Sequence, residues 1–177
     1  MSWVIPSQPY SDHGGPDSDG YGPYWVGNIV NAVGNSPCGY WNNTAILITW
    51  DDWGGFYDHV PLHRPFRNQY ELGFRVPLLV VSAYTQAGSV SCPAPVDPRC
   101  PSDPLDFGSI LRFIESNFGL PFIAPAGLEY ADQQSIPLDP ALFSLQTPRT
   151  FQGIPGISYD STFFTNNVTS DEDPDDD

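Results

Sequence analysis

The stretch 44–60, TAILITWDDWGGFYDHV, joins an apolar segment to a cluster of acids, glycines and a histidine. Residues 45–50 are short, apolar and rich in β-branched side chains, which predicts a buried strand. Two adjacent carboxylates, Asp51 and Asp52, follow this strand, and two glycines then break the chain. Ligands in open α/β sheets gather at the carboxyl ends of strands, so the pattern predicts a polar site at this point.

Oxygen-rich clusters of this kind suit a divalent metal ion. We therefore take Asp51 and Asp52 as candidate metal ligands, with the identity of the metal left open. A simpler interpretation exists for an isolated Asp-Asp pair, because aspartate is common at strand ends and as a helix cap. The length of the surrounding pattern favours a functional site.

Several further motifs occur in a fixed order along the chain. They are SDH at 11–13, WVGNIVNAVG at 25–34, Trp41, NTAI at 43–46, WDDWGGFYDHV at 50–60, GFRVPLLVVS at 73–82 and DFGSILRFIE at 106–115. This ordered set resembles the C-terminal half of the bacterial phosphoesterase family, which includes phospholipases C and related acid phosphatases. The resemblance runs from about Trp3 to about Ile154, and the order of several long motifs makes it specific.

The resemblance implies a fold, an activity and site residues. The expected fold is α/β, the C-terminal part of an alkaline-phosphatase-like α/β/α sandwich with long loops. The expected activity is hydrolysis of a phosphate ester, either a phospholipid or a soluble phosphomonoester. In the acid phosphatase branch, acids that match Asp51 and Asp52 bind the metal, and a histidine that matches His13 lines the phosphate site. His13, Asp51 and Asp52 are therefore the expected catalytic residues.

The family nucleophile is a hydroxyl residue of the N-terminal half, and a Glu-Asn pair near the family's N-terminus supplies further metal ligands. Neither segment is found in this sequence. The leading hypothesis is thus a phosphoesterase that needs a separate N-terminal half for its nucleophile. The alternative is a truncated, non-catalytic fragment or subunit that pairs with another chain.

Two further residues are candidates for substrate binding. His59 would bind phosphate or metal, or would orient Asp51 or Asp52 through a hydrogen bond. Arg75 precedes the second predicted strand, where it would contact a phosphate as a bidentate donor or pair with an acid. Asp58 is interpreted as a turn residue. The aromatic residues of the motif would line a pocket or fill the core: Trp50, Trp53, Phe56 and Tyr57.

Charge excludes some classes of partner. The chain has 177 residues and a formal net charge of −15, and all its positive side chains are arginines. This balance argues against nucleic acid and against anionic membrane surfaces. It also repels a phosphate ester at long range, so a phosphate site would need metal ions or local donors to offset the acids.

The chain is expected to contain a phosphoesterase portion at 1–160 and an acidic, disordered tail at 161–177. Its apolar runs fall well short of the ~20 residues of a membrane-spanning helix, so no integral membrane segment is expected. No signal peptide is visible, although the resemblance implies a secreted or periplasmic protein, and localisation stays open. Cys92 and Cys100 bracket a proline-rich loop, either as a disulfide or as free thiols.

The periodicity of apolar residues predicts helices at 24–33 and 107–118 and strands at 45–50 and 76–82. Asp106 is the expected N-cap of the second helix, and Gly119 is expected to end it. Two strands are too few for an independent doubly wound sheet, which typically has ~5–6. The strands are therefore expected to belong to a larger sheet.

Overall fold

A computed structural model describes residues 1–14, 20–59, 72–91, 105–123 and 131–156. The predictions for the Cys92 and Cys100 pair and for the tail lie outside these residues. No helix in the described part of the chain has the length and apolar character needed to cross a membrane.

Contacts divide the chain into two units. One comprises residues 1–59, 75–83 and 148–177, and the other comprises 60–74 and 84–147. Each unit is described by itself.

Helix α1 of the first unit spans Gly22–Gly34, slightly beyond the predicted bounds at both ends. A proline in its first turn is well tolerated because the N–H that it lacks would have no partner there. Gly34 lies against the ring of Phe151, where a Cβ would come within 2.2 Å of ring carbons. Phe151 packs edge-on against Trp41, with ring centroids 4.9 Å apart. Trp41 is buried and also donates its indole N–H to the carbonyl of Arg149 at 2.7 Å.

Strands β1, Ala45–Thr49, and β2, Leu78–Ser82, form an antiparallel pair. Thr49 is opposite Leu78, so the end of β1 and the start of β2 lie at the same edge of the sheet. At this edge the Thr49 hydroxyl donates to the carbonyl of Pro77 at 2.9 Å. The pairing therefore places the segment after β1 beside the segment before β2.

Both strands were predicted, but their expected burial is wrong. Ala45 is exposed, and Leu79 is 50% exposed. The combination of helices and a sheet is compatible with the α/β class, and the described residues contain two strands and not a full sandwich.

Helix α2 of the second unit spans Phe107–Phe118, as predicted. The Asp106 carboxylate accepts the N–H of Ser109 at 3.0 Å, and the Ser109 hydroxyl accepts the N–H of Asp106 at 3.2 Å. This reciprocal arrangement is a capping box. Gly119 ends the helix with φ 64°, a conformation that glycine adopts at little cost. Both predicted boundary residues are confirmed.

A short helix, α3, spans Ala131–Gln134 and was not predicted. It packs against α2. Two acids are buried in this unit, Glu115 on α2 at 8% exposure and Asp132 on α3 at 1%. Burial raises the pKa of Glu115, a hydrogen bond and the charge of Asp132 raise it further, and Arg112 opposes the change. The folded protein therefore favours the protonated, neutral form of Glu115.

Protonation of Glu115 gives a testable dependence of stability on pH. Because its folded-state pKa is raised, its stabilising contribution is fully present below the ordinary glutamate pKa of about 4.3 and is lost as pH rises through the raised value. A Glu115→Gln variant should match the wild type at acid pH and exceed it in free energy of unfolding at neutral pH. Urea denaturation at a series of pH values, followed by circular dichroism, measures the difference.

The exposed Asp51→Asn variant is the control. Its difference from the wild type in free energy of unfolding should not increase from acid to neutral pH as that of Glu115→Gln does. A Glu115→Gln difference in free energy of unfolding that stays constant from acid to neutral pH would contradict the raised pKa of Glu115.

Candidate active site

Asp51 and Asp52 lie just beyond the end of β1, as predicted, and both are exposed. Asp51 Oδ1 accepts the N–H of Asp52 at 3.1 Å, and Asp52 Oδ1 accepts the N–H of Gly54. The acids thus stabilise their own turn, which is the simpler role considered for them. An ionised carboxylate has about four acceptor positions, so these bonds leave acceptor capacity for a cation.

The turn that follows the acids depends on two glycines. Gly54 and Gly55 have φ values of 60° and 73°, and the N–H of Phe56 donates to the carbonyl of Trp53 at 3.1 Å. Two successive positive φ values are typical of a type I′ turn, for which glycine is the least strained residue. The chain therefore reverses directly after the carboxylates.

The loop that carries His13 is held by local hydrogen bonds. It follows a 3₁₀ turn at Gln8–Tyr10. The Ser11 hydroxyl donates to the carbonyl of Gln8 at 2.9 Å and accepts the N–H of His13 at 3.1 Å. The Asp12 carboxylate accepts the N–H of Gly22 at 3.1 Å, which ties this loop to the start of α1.

The His13 loop and the turn after the acids meet at two glycines. A Cβ built on Gly14 would lie 2.5 Å from the carbonyl oxygen of Gly54. No side chain fits at that distance, so the two backbones approach closely because residue 14 is glycine. The structure thus brings the segment that carries His13 to the segment that carries Asp52. The chemical roles of His13, Asp51 and Asp52 stay predictions.

Arg75 and His59 lie at a different carboxylate, that of Asp58. Arg75 donates through Nε and Nη2 to the two Asp58 oxygens at 2.7 and 2.9 Å, and this bond raises the pKa of Arg75. His59 Nδ1 lies 3.8 Å from Asp58 Oδ1, and the His59 side chain is 83% exposed. The pairing of Arg75 with an acid, left open by the sequence, is therefore observed.

Asp58 has a larger role than the turn residue inferred from the sequence. Its side chain is only 13% exposed, and it joins the segment after β1 to Arg75, three residues before β2. The signal was present as an acid in one motif and an arginine in the next. The pairing of these two residues could not be inferred without the antiparallel strand pairing, which places both segments at one edge of the sheet.

The described residues contain no complete set of ligands for a metal ion. Among them, no three histidine, cysteine, aspartate or glutamate side chains come together as ligands for an ion. Asp51 and Asp52 offer oxygen donors of the type that hard divalent cations prefer, but such cations take about six ligands. The two carboxylates therefore fit a metal as an incomplete donor set.

Aromatic side chains surround the turn without filling a core. Trp53, Phe56 and Tyr57 are 41%, 68% and 88% exposed, respectively. The core-filling alternative is therefore wrong for these three residues.

Comparison with known proteins identifies relatives of this chain. The sequence model of the phosphoesterase family matches residues 1–121. A non-hemolytic phospholipase C of Pseudomonas aeruginosa is 30% identical over 156 residues, covering 71% of this chain and 21% of the relative. A non-hemolytic phospholipase C of Burkholderia pseudomallei is 31% identical over 144 residues, covering 67% and 19%. Phospholipase C B of Mycobacterium tuberculosis is 27% identical over 143 residues, covering 68% and 25%.

The chain thus spans about a fifth to a quarter of the length of these curated relatives. No solved structure gives a significant match.

The contact between Gly14 and Gly54 predicts the effect of adding a methyl group. A Gly14→Ala variant should lower the free energy of unfolding by about 1–3 kcal/mol, because the methyl group meets a backbone carbonyl. Gly73 is the matched control, since it lies in a loop, has no positive φ and has open space around its Cβ position. Gly73→Ala should change stability by no more than about 0.5 kcal/mol. Urea denaturation measures both variants, and equal stabilities would contradict the close approach.

Proposed function

This chain belongs to the phosphoesterase family, and we propose that it forms part of a hydrolase that acts on phosphate ester bonds. The observation that supports the proposal is the contact of Gly14 with Gly54. It places the histidine motif and the paired acids, which the resemblance assigns to one phosphate site, on adjoining backbone segments.

Asp51 and Asp52 would hold a divalent metal ion together with ligands from outside the described residues. When bound, such an ion offsets the charge of phosphoryl oxygens and activates a hydroxyl group or water. A cation is needed here because the chain carries a net charge of −15, which opposes the approach of a phosphate ester. His13 would donate a hydrogen bond to the phosphoryl group or a proton to the leaving oxygen.

Arg75 and His59 would bind substrate beside Asp58. A guanidinium group has five N–H donors, and two of those of Arg75 are used by Asp58. Donors remain for a phosphate oxygen while the acid fixes the orientation of the group. The exposed ring of His59 is accessible to a substrate from solvent.

We place the nucleophile in a polypeptide segment outside these 177 residues, with the remaining metal ligands and the other strands of an α/β/α sandwich. Residues 1–160 would be the C-terminal portion of that domain. The small share of the relatives that this chain covers supports this division. The half-exposed Leu79 of β2 supports it too, because a strand of a larger sheet would be covered.

The substrate that we favour is a phospholipid, because the relatives compared are phospholipases C by name. A soluble phosphomonoester is the alternative, as in the acid phosphatase branch. A non-catalytic subunit that pairs with another chain is the second candidate function. The missing segment of the family nucleophile motivates this candidate.

A reconstitution assay tests the proposed function. The purified chain, supplied with Mn²⁺, Ca²⁺ or Zn²⁺, should hydrolyse nitrophenyl phosphate and nitrophenyl phosphorylcholine slowly or not at all, because it lacks the nucleophile. Adding the unmatched N-terminal portion of the Pseudomonas relative should restore hydrolysis. The His13→Ala variant should lower the restored rate by about 10²–10⁴-fold. An Asp51→Asn, Asp52→Asn double variant should lose both metal binding and activity.

The control is Asp139→Asn, which alters a capping carboxylate of the second unit. Its restored rate should equal that of the wild type. Full activity of the lone chain would place the nucleophile within these residues. A complex that forms without activity would favour the non-catalytic subunit.

A further inference from the structure

Asp12 has an unusual backbone conformation. Its φ is 58°, the one positive value of a non-glycine residue in the described part of the chain. This left-handed region costs an ordinary residue about 1–2 kcal/mol, although aspartate and asparagine tolerate it better than most. Such a conformation persists where the surrounding contacts impose it.

The contact that holds Asp12 in this conformation is with the start of α1. The Asp12 carboxylate accepts the N–H of Gly22, and a Cβ on Gly22 would lie 2.2–2.6 Å from the carboxyl atoms of Asp12. Tyr21, the residue before the helix, provides no side-chain cap. Asp12 therefore caps α1 from ten residues upstream, where a negative charge is stabilised by the unpaired N–H groups of the helix.

His13 lies directly between two anchored neighbours. On one side Asp12 is bonded to Gly22, and on the other Gly14 lies against the carbonyl of Gly54. The N–H of His13 is bonded to the Ser11 hydroxyl. The backbone of this histidine is thus fixed from both directions relative to α1 and to the turn after the acids.

We propose that Asp12 is a positioning residue that holds His13 against the turn carrying Asp51 and Asp52, through its bond to Gly22 and its left-handed backbone. This inference rests on the proposed function of His13 and the acids. In this role Asp12 acts through the backbone of His13 and not through a contact of its own with the substrate or the metal. The helix thereby becomes part of the support of the site.

Three variants separate this role from simple stabilisation. Asp12→Ala removes the acceptor and disfavours positive φ. Asp12→Asn keeps an acceptor and tolerates positive φ, so it should behave as the wild type. Gly22→Ala leaves Asp12 in place but pushes its carboxylate away, while alanine raises the intrinsic helix propensity of α1. A loss of His13 order in Gly22→Ala therefore does not come from a weaker helix.

The first readout does not depend on metal or activity. Nitrogen relaxation of the His13 amide in the labelled 177-residue chain should give an order parameter near 0.85 in the wild type and in Asp12→Asn, with values below about 0.6 in Asp12→Ala and Gly22→Ala. Asp139→Ala is the matched control, since Asp139 also caps a helical turn, in the second unit. It should leave His13 unchanged. An equally ordered His13 in Asp12→Ala would overturn the inference.

The second readout tests the proposed function itself. Mn²⁺ bound at Asp51 and Asp52 should broaden the ring resonances of His13 in the wild type and in Asp12→Asn. In Asp12→Ala the affinity for Mn²⁺ should be unchanged while the broadening is lost. These Mn²⁺ measurements are made on the labelled chain combined with the N-terminal portion of the Pseudomonas relative, which would supply the remaining ligands. A wild-type complex that binds no Mn²⁺ would overturn the proposed metal site, and the order of His13 would still decide the role of Asp12.

Discussion

The first unit depends on a close approach of two backbones at Gly14 and Gly54. The approach requires a residue without a side chain at position 14 and a left-handed glycine in the opposite turn. It joins an N-terminal loop to the segment that leaves β1, although forty residues separate them in sequence. Without this contact the histidine motif and the paired acids would be two exposed loops with no common surface.

Several acidic side chains of this strongly acidic chain are stabilised by a nearby hydrogen-bond donor or by a proton. Asp12 is stabilised at the start of α1, Asp58 by the guanidinium of Arg75, and the buried Glu115 by protonation, which its raised pKa favours. These groups use backbone N–H groups, an arginine or a proton, in a chain without lysine. The exposed pair Asp51 and Asp52 has only backbone partners within its own turn. This exposed pair is the one that we propose as ligands of a cation.

Features encoded by neighbouring residues were predictable from the sequence. Helix α2 was predicted with both boundary residues, because a capping box and a terminal glycine act within one turn. The position of Asp51 after β1 was predictable for the same reason. Long-range contacts were not: the antiparallel pairing, the ion pair of Asp58 with Arg75 and the burial of Glu115 against α3 depend on residues distant in sequence. The left-handed Asp12 was missed because its cause, Gly22, lies beyond the loop.

The most direct test of the account is a nuclear Overhauser measurement on the 177-residue chain. Backbones that meet as closely as Gly14 and Gly54 place their protons within reach of this effect. The account predicts cross-peaks between the α protons of Gly14 and the protons of Gly54 and Gly55. A well-dispersed spectrum of the folded chain, with the cross-strand contacts of β1 and β2 present and the Gly14 cross-peaks absent, would contradict it.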